Sequence, residues 1–271
     1  MIGRKLDESE PSPDSSPETI ARDPGGPAGH WSGGRRPEPA LVHAGQDARY
    51  NEAVTQLTAE ALRREQERTL TTPRLRYGLL ARILFAGMDL FYGRRRTLSK
   101  FKVLELIARV PYQAWEQVAY VAITHTSRAP DFARRVFDRV REARHQQDNE
   151  QWHLLILEEM IAREGVREGF VKFWLIPQAV AFIYYQIVWL LYVLRPSSSY
   201  RLNAEFEDHA EHEYMEFVRD HPQLERTPFE SVVAQDYGHF ASLADVFRQI
   251  GYDERVHKDE SLARLAEPRF A

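Results

Sequence analysis

The sequence contains no cysteine among its 271 residues. This absence excludes disulfide bonds, thiolate metal sites, cysteine nucleophiles and iron–sulfur clusters. The sequence also lacks a large excess of positive or negative charge, because 36 Lys and Arg residues nearly balance 40 Asp and Glu residues. The formal net charge of −4 argues against a general nucleic-acid-binding protein. The mean hydropathy is negative, which excludes a polytopic membrane protein but not membrane attachment.

The N-terminal part has little that could build a hydrophobic core. Residues 1–48 hold seven of the fifteen Pro and seven of the fourteen Gly, and their apolar residues show no periodicity. We expect residues 1–48 to form a disordered acidic tail and residues 49–271 to form one helical domain. The Met1 end carries no stretch typical of a signal peptide and is too acidic for a transit peptide, so we expect a bacterial or other intracellular protein.

Beyond the tail, apolar residues recur at helical spacing, and alternating strand patterns are missing. The sequence therefore predicts an all-α fold. We expect a short leading helix and six longer ones, at residues 53–68, 75–92, 98–124, 131–163, 173–194, 198–219 and 238–265. Pro111 should kink the second long helix, and Asp131 should cap the third. The fourth, from Phe173 to Leu194, has no charged residue in 22 positions, which is enough to cross a bilayer by length alone.

Two Glu-x-x-His pairs lie on helical seams that are otherwise apolar, Glu150/His153 and Glu254/His257. Residues at i and i+3 share one face of a helix, so the carboxylate and the imidazole of a pair can bind the same metal ion. An unpaired carboxylate at such a position would be costly to bury. Several such positions on different helices therefore indicate that a cation lies between them.

A di-metal carboxylate bundle also needs one inward-facing Glu from each of two further helices. Glu105 and Glu207 fit this requirement, although each alone would be an ordinary surface residue. A third pair, Glu142/His145, lies among arginines typical of a solvated face, and we discount it. The complete set offers four carboxylates and two imidazoles, which suit iron or manganese. The predicted metal ligands are Glu105, Glu150, His153, Glu207, Glu254 and His257.

Four segments resemble the iron-ligand segments of the alternative oxidase family, in the same order, and most closely those of its plastid-terminal-oxidase branch. They are VLELIARVPY, NEQWHLLILEEM, FEDHAEHEYMEF and DVFRQIGYDERVH. The likeness covers about Phe101 to Leu265. It implies a ferritin-like four-helix bundle that holds two iron ions, two additional helices that lie in one membrane leaflet, and a homodimer.

The resemblance also implies roles for residues outside the ligand set. Asn149 and Asp253 would be hydrogen-bonding partners of the ligands, and Tyr214, seven residues after Glu207, would be a redox-active tyrosine near the irons. The residues that would line a quinol pocket are Lys100, Leu104 and Ala210.

The sequence departs from the family pattern at three places. Lys100 replaces the usual Arg, and Glu213 replaces the usual Thr. The segment between Glu105 and Glu150 is longer than usual, which predicts an inserted loop around residues 127–131.

The function implied by the resemblance is that of a non-proton-pumping terminal oxidase, which oxidises ubiquinol or plastoquinol and reduces O₂ to water. Residues 62–102 carry eleven Lys or Arg and three Asp or Glu, a net of +8, which favours anionic lipid headgroups over nucleic acid. We expect a membrane-associated protein on the cytoplasmic face of a bacterial inner membrane. Two alternatives stay open, namely another membrane-associated di-iron oxygenase or hydroxylase, and a ferritin-like iron-handling bundle.

Overall fold

The computed structural model describes residues 56–126 and 128–269, and the predicted tail at residues 1–48 lies outside them. The described residues form nine α-helices and no strand, which confirms the all-α prediction. They also include a π-helical turn at Val171–Leu175 and a 3₁₀ turn at Pro222–Arg226. The helices are α1 Ala59–Thr71, α2 Leu79–Tyr92, α3 Leu98–Ala108, α4 Val110–Thr126, α5 Pro130–Arg163, α6 Ile176–Leu194, α7 Pro196–Asp220, α8 Ala234–Tyr237 and α9 Leu243–Ala263.

The predicted second long helix is two helices, α3 and α4, which meet at Arg109. Pro111 causes the break, since it has no N–H to donate and its ring crowds the carbonyl four residues earlier. The neighbouring backbone hydrogen bonds are long, 3.4 Å from Arg109 N to Glu105 O and 3.3 Å from Gln113 N to Arg109 O. The kink expected at Pro111 is confirmed, but the prediction of one continuous helix across it was wrong.

Four predicted helix starts were also wrong. The leading helix, α1, begins at Ala59 rather than at residue 53. Helix α5 begins at Pro130 with Ala129 as its N-cap, so Asp131 lies in the first turn rather than at the cap. There its negative charge is stabilised by the positive end of the helix dipole. Helix α9 begins at Leu243, because the Ser242 hydroxyl accepts a hydrogen bond from the Asp245 amide at 3.2 Å. Helix α2 begins at Leu79 rather than at residue 75.

The delayed start of α2 has a cause in α7. The Leu75 amide donates to Asp208 Oδ2 at 2.9 Å, and the Gly78 amide donates to Glu205 Oε2 at 2.8 Å. These side chains hold residues 75–78 in an extended path along α7. The acidic segment Glu205–Glu213 of α7, which by composition alone would be a solvated face, is almost entirely buried.

Helices α2 and α6 expose much of their apolar surface. The segment Val171–Leu194 is 24 residues long and, by length and composition, apolar enough to cross a membrane, yet little of it is buried. On α2, the side chains of Leu79, Ile83 and Leu90 are also well exposed. Two segments far apart in the chain, α2 and Val171–Leu194, thus present apolar side chains outwards.

Candidate metal centre

Four helices bring all six predicted ligands together in the interior of the bundle. Helix α3 supplies Glu105, α7 supplies Glu207, and α5 and α9 each supply one Glu-x-x-His pair. All six side chains are buried. Their candidate ligand atoms fall into two groups, and within each group the atoms lie within 4.8 Å of one another. The groups are Glu105, Glu150, His153 and Glu254, and Glu150, Glu207, Glu254 and His257.

The two groups share Glu150 and Glu254. Each group then has one carboxylate and one imidazole of its own, Glu105 with His153 and Glu207 with His257. A glutamate from each of two helices and a Glu-x-x-His pair from each of two others is the ligand pattern of dinuclear carboxylate sites. The discounted pair lies elsewhere, since His145 is exposed and Glu142 forms an ion pair with Arg264.

Both imidazoles turn Nδ1 towards the carboxylates. His153 Nδ1 lies 3.2 Å from Glu105 Oε2 and 3.2 Å from Glu254 Oε1. His257 Nδ1 lies 2.7 Å from Glu150 Oε1. The opposite ring nitrogen of His153, Nε2, lies 3.3 Å from Asp253 Oδ2, so Nδ1 is the atom available to a metal.

The cluster concentrates negative charge where water cannot screen it. Burial raises the pKa of Glu105 to about 8, and burial together with the charge on Glu150 raises the pKa of Glu207 and of Glu254 well above the ordinary carboxyl value. Burial alone would raise the pKa of Glu150 too, but the adjacent imidazoles outweigh it and hold that pKa below the ordinary value. Two divalent cations would neutralise the four carboxylates.

Several polar atoms of the cluster are buried without a hydrogen bond. Within the described residues, both carboxylate oxygens of Glu150, both of Glu254, and Oε2 of Glu207 accept none, because the nearby imidazole nitrogens are not aligned for a hydrogen bond to them. Buried oxygens of this kind are costly unless they have partners. Their chemistry, hard oxygens beside two imidazoles, fits ions such as iron or manganese.

Tyr214 of α7 contacts this cluster directly. Its hydroxyl donates a hydrogen bond to Glu105 Oε1, and its ring stacks on Phe101 with 4.3 Å between centroids. The side chain is fully buried, and burial together with the Glu105 charge raises the pKa of Tyr214 well above its ordinary value. The phenol is therefore held in its protonated form, one hydrogen bond from a candidate ligand.

Asp253 organises the side of the site around His153. Its Oδ2 accepts a hydrogen bond from the Tyr237 hydroxyl at 2.7 Å, and Asn149 Nδ2 approaches the same oxygen at 3.5 Å. Gln249 Nε2 donates to Oδ1 at 2.8 Å. The structure thus places Asn149 and Asp253 next to His153. Sequence reasoning missed Tyr237, which ends the four-residue helix α8 and has no periodic pattern to mark it.

A second tyrosine, Tyr112 of α4, also contacts the cluster. Its hydroxyl donates to Glu207 Oε1 at 2.6 Å. The signal that could have found it is a spacing. Tyr112 follows Glu105 by seven residues, as Tyr214 follows Glu207.

The three predicted quinol contacts lie beside the site and are all buried. Leu104 adjoins Glu105 in the chain, and Ala210 lies one turn before Tyr214. Lys100 Nζ forms an ion pair with Asp89 Oδ1 at 2.7 Å and donates to the Gly93 carbonyl at 2.9 Å. The Lys100 side chain therefore joins α3 to the end of α2.

A further acidic group on α7, made of Asp208, Glu211 and His212, also has ligand atoms close together. Here protein cations already occupy the position of an ion. Lys258 Nζ donates to both Asp208 and Glu211, and Arg255 Nε donates to Glu211 Oε1 at 2.9 Å. This group is a salt-bridge network that fixes α9 to α7.

Residues 53–264 match the family model described as "Alternative oxidase". The chain belongs to the alternative oxidase family. This confirms the family resemblance of the four ligand segments. The buried carboxylate and imidazole groups on four helices are consistent with the di-iron chemistry of alternative oxidases.

Two relatives within this family are plant proteins. The chain is 32% identical to ubiquinol oxidase 4 of Arabidopsis thaliana, a chloroplast and chromoplast protein, over 151 residues, which are 55% of this chain and 40% of the relative. It is 25% identical to the mitochondrial ubiquinol oxidase 2 of Glycine max over 186 residues, 66% of this chain and 51% of the relative. The chain thus spans about half the length, or less, of these curated relatives.

Proposed function

We propose that this alternative oxidase oxidises a quinol and reduces O₂ to water at a di-iron centre, without pumping protons. The observation that carries the proposal is the pair of ligand groups that share Glu150 and Glu254, with the Tyr214 phenol bonded to Glu105. The names of the two plant relatives support a quinol as the electron donor.

The six residues of the cluster would hold the irons. Asp253 would orient the His153 ring by a hydrogen bond, and Asn149 lies next to Asp253. When bound, two irons would supply the capacity to bind O₂ and to pass electrons to it. The protein excludes water around them, since every ligand side chain is buried. The Tyr214 hydroxyl, which donates to Glu105, would hold a proton one hydrogen bond away from a carboxylate that binds iron in its deprotonated form.

We propose that the quinol binds where Lys100, Leu104 and Ala210 lie. A quinol against Leu104 and Ala210 would be adjacent to both Glu105 and Tyr214, which suits transfer of protons and electrons. Lys100 would recognise a quinol oxygen after exchanging its ion pair with Asp89. Because that ion pair joins α3 to α2, quinol entry would involve displacement of the end of α2.

We propose that α2 and α6 lie in one membrane leaflet. Their exposed apolar side chains would enter the acyl region, and the exposed Arg94 and Arg95 at the end of α2 would contact anionic headgroups. Quinol, which is dissolved in the bilayer, would then reach the pocket from the side of α2. A cytoplasmic-leaflet location in a bacterial inner membrane and a homodimer are part of this proposal, and sedimentation in detergent measures the dimer.

The competing function is a membrane-associated di-iron oxygenase or hydroxylase, which would share the ligands but insert oxygen into an organic substrate. A phenol bonded to a candidate ligand and relatives named as ubiquinol oxidases favour the oxidase. A ferritin-like storage bundle has no need of the apolar faces on α2 and α6.

The test is O₂ uptake by membranes that contain this chain, from a host lacking its own quinol oxidases, with quinol and cyanide added. The proposal expects cyanide-resistant uptake that is lost on Glu150→Ala and kept on Glu142→Ala. Iron-replete membranes that consume no O₂ with quinol would exclude the quinol oxidase.

A further inference from the structure

Two glutamate–tyrosine pairs, one spanning α3 and α4 and the other on α7, show a reciprocal pattern. Glu105 and Tyr112 are seven residues apart, as are Glu207 and Tyr214. In each case the tyrosine hydroxyl crosses to the glutamate of the other pair. Tyr214 donates to Glu105 Oε1, and Tyr112 donates to Glu207 Oε1 at 2.6 Å. Glu105 and Glu207 each belong to only one of the two ligand groups. Each of them therefore accepts one phenolic hydrogen bond.

The Tyr112 hydroxyl has a fixed direction. Asn203 Nδ2 donates to Tyr112 Oη at 3.0 Å, so the phenolic proton of Tyr112 is left to donate to Glu207. Asn203 Nδ2 also contacts Ser261 Oγ at 3.1 Å, which ties this arrangement to α9. The Tyr112 ring is fully buried and packs edge-on against Trp115 and against His257, with 5.3 Å and 5.7 Å between centroids.

We propose that Tyr112 is a positioning residue for the ion that Glu207 and His257 would share. The hydroxyl holds Glu207 Oε1, and Glu207 Oε2, which accepts no hydrogen bond, is then the oxygen presented to the metal. A carboxylate held in this way would offer a metal one oxygen rather than two. A chelating Glu207 would instead fill one further coordination position.

This inference rests on the proposed function only for its di-metal site, and it does not require a quinol. Loss of the Tyr112 hydroxyl would release Glu207 to rotate or to chelate. Hydrogen bonds that orient metal ligands commonly change metal affinity by about 10- to 100-fold when they are removed. The coordination number of the affected ion should change as well.

The experiment is an anaerobic titration of the metal-free full chain with Co²⁺, whose visible absorption reports coordination number. The variants are Tyr112→Phe and, as matched control, Tyr200→Phe, which removes a buried hydroxyl bonded to Tyr192 and not to a candidate ligand. We expect Tyr112→Phe to bind one of two Co²⁺ ions about 10- to 100-fold more weakly, with altered absorption, and the control to match the parent chain.

A Tyr112→Phe titration that superimposes on the control in affinity and absorption would overturn the proposal. If Tyr112→Phe does not fold, as judged by circular dichroism, the same Co²⁺ titration is carried out on Asn203→Ala. It keeps the phenol but removes the donor that orients it, so altered Co²⁺ absorption supports the proposal and unaltered absorption overturns it. Because the readout is metal binding, a chain that fails to oxidise quinol but shows the Co²⁺ effect would refute only the proposed function.

Discussion

The Tyr214 hydroxyl donates a hydrogen bond to Glu105, a carboxylate on a different helix, while Phe101 stacks on its ring with 14° between the planes. Because Glu105 belongs to only one of the two ligand groups, Tyr214 is tied to one side of the centre. The hydrogen bond joins α7 to α3 in the interior. It also places an oxidisable phenol next to the position of a metal.

Tyr214→Phe should retain two irons per chain at saturating iron but lose most turnover. The substitution keeps the ring and its stacking on Phe101 and removes only the oxidisable hydroxyl. Iron content and quinol-dependent O₂ uptake measure the two effects, with Tyr200→Phe as control for the loss of a buried hydroxyl. Normal turnover by Tyr214→Phe would remove Tyr214 from the mechanism.

Glu150→Ala should abolish binding of both irons, since Glu150 belongs to both ligand groups. Glu142→Ala is the matched control, because Glu142 heads the Glu-x-x-His pair outside the cluster on the same helix. Elemental analysis of the purified variants gives the iron content per chain. Full iron content or full activity in Glu150→Ala would contradict the ligand assignment.

The metal-free chain should lose stability as pH rises through neutrality. Burial raises the pKa of Glu105 from 4.5 to about 8, so the folded chain keeps a proton that the unfolded chain releases above about pH 4.5. The resulting stabilisation is complete below pH 4.5 and is lost as pH rises through about 8. The raised pKa values of Glu207, Glu254 and His153 act in the same direction.

Calorimetry of the metal-free and metal-loaded chains measures this effect. We expect the Tm of the metal-free chain to fall by several degrees between about pH 5 and pH 8. Metal loading should remove the fall, because bound carboxylates must be deprotonated. Glu150, whose pKa is lowered, contributes stability that is lost only towards acid pH. A metal-free Tm that rises over this range would contradict the assignment of these charges.

Charges on the apolar faces should weaken membrane binding. Ile83→Asp on α2 combined with Phe182→Asp on α6 introduces two charges among exposed apolar side chains. We expect the double variant to float with anionic vesicles at a small fraction of the parent amount. Val232→Asp is the control, since Val232 is 83% exposed but lies on neither helix. Equal flotation of the double variant and the control would exclude α2 and α6 as the membrane face.

The sequence could predict that these six side chains lie together, because helical periodicity places them on inward faces. Glu105, Glu150 and Glu254 stand on seams of hydrophobic residues, and the same i, i+3 spacing that aligns them with their histidines survives in the fold. Pro111 marked the break between α3 and α4 for the same local reason.

The burial of α7 could not be predicted, because its causes are far away in the chain. Glu211 pairs with Lys258 and Arg255, and Glu213 pairs with Arg74 and Arg96. A run of acids becomes an interior face only when cations from other elements meet it. The reciprocal tyrosine contacts were missed for a similar reason, since a seven-residue spacing along the chain does not reveal a partner on another helix.

Complete reduction of O₂ by electrons from quinol is what separates the proposed oxidase from an oxygenase. The most direct measurement is the ratio of quinol oxidised to O₂ consumed by the purified, iron-loaded chain in vesicles, with ¹⁸O₂ as the gas. We expect two quinols per O₂ and all of the label in water. A ratio near one would contradict complete reduction to water, and label in an organic product would identify an oxygenase instead.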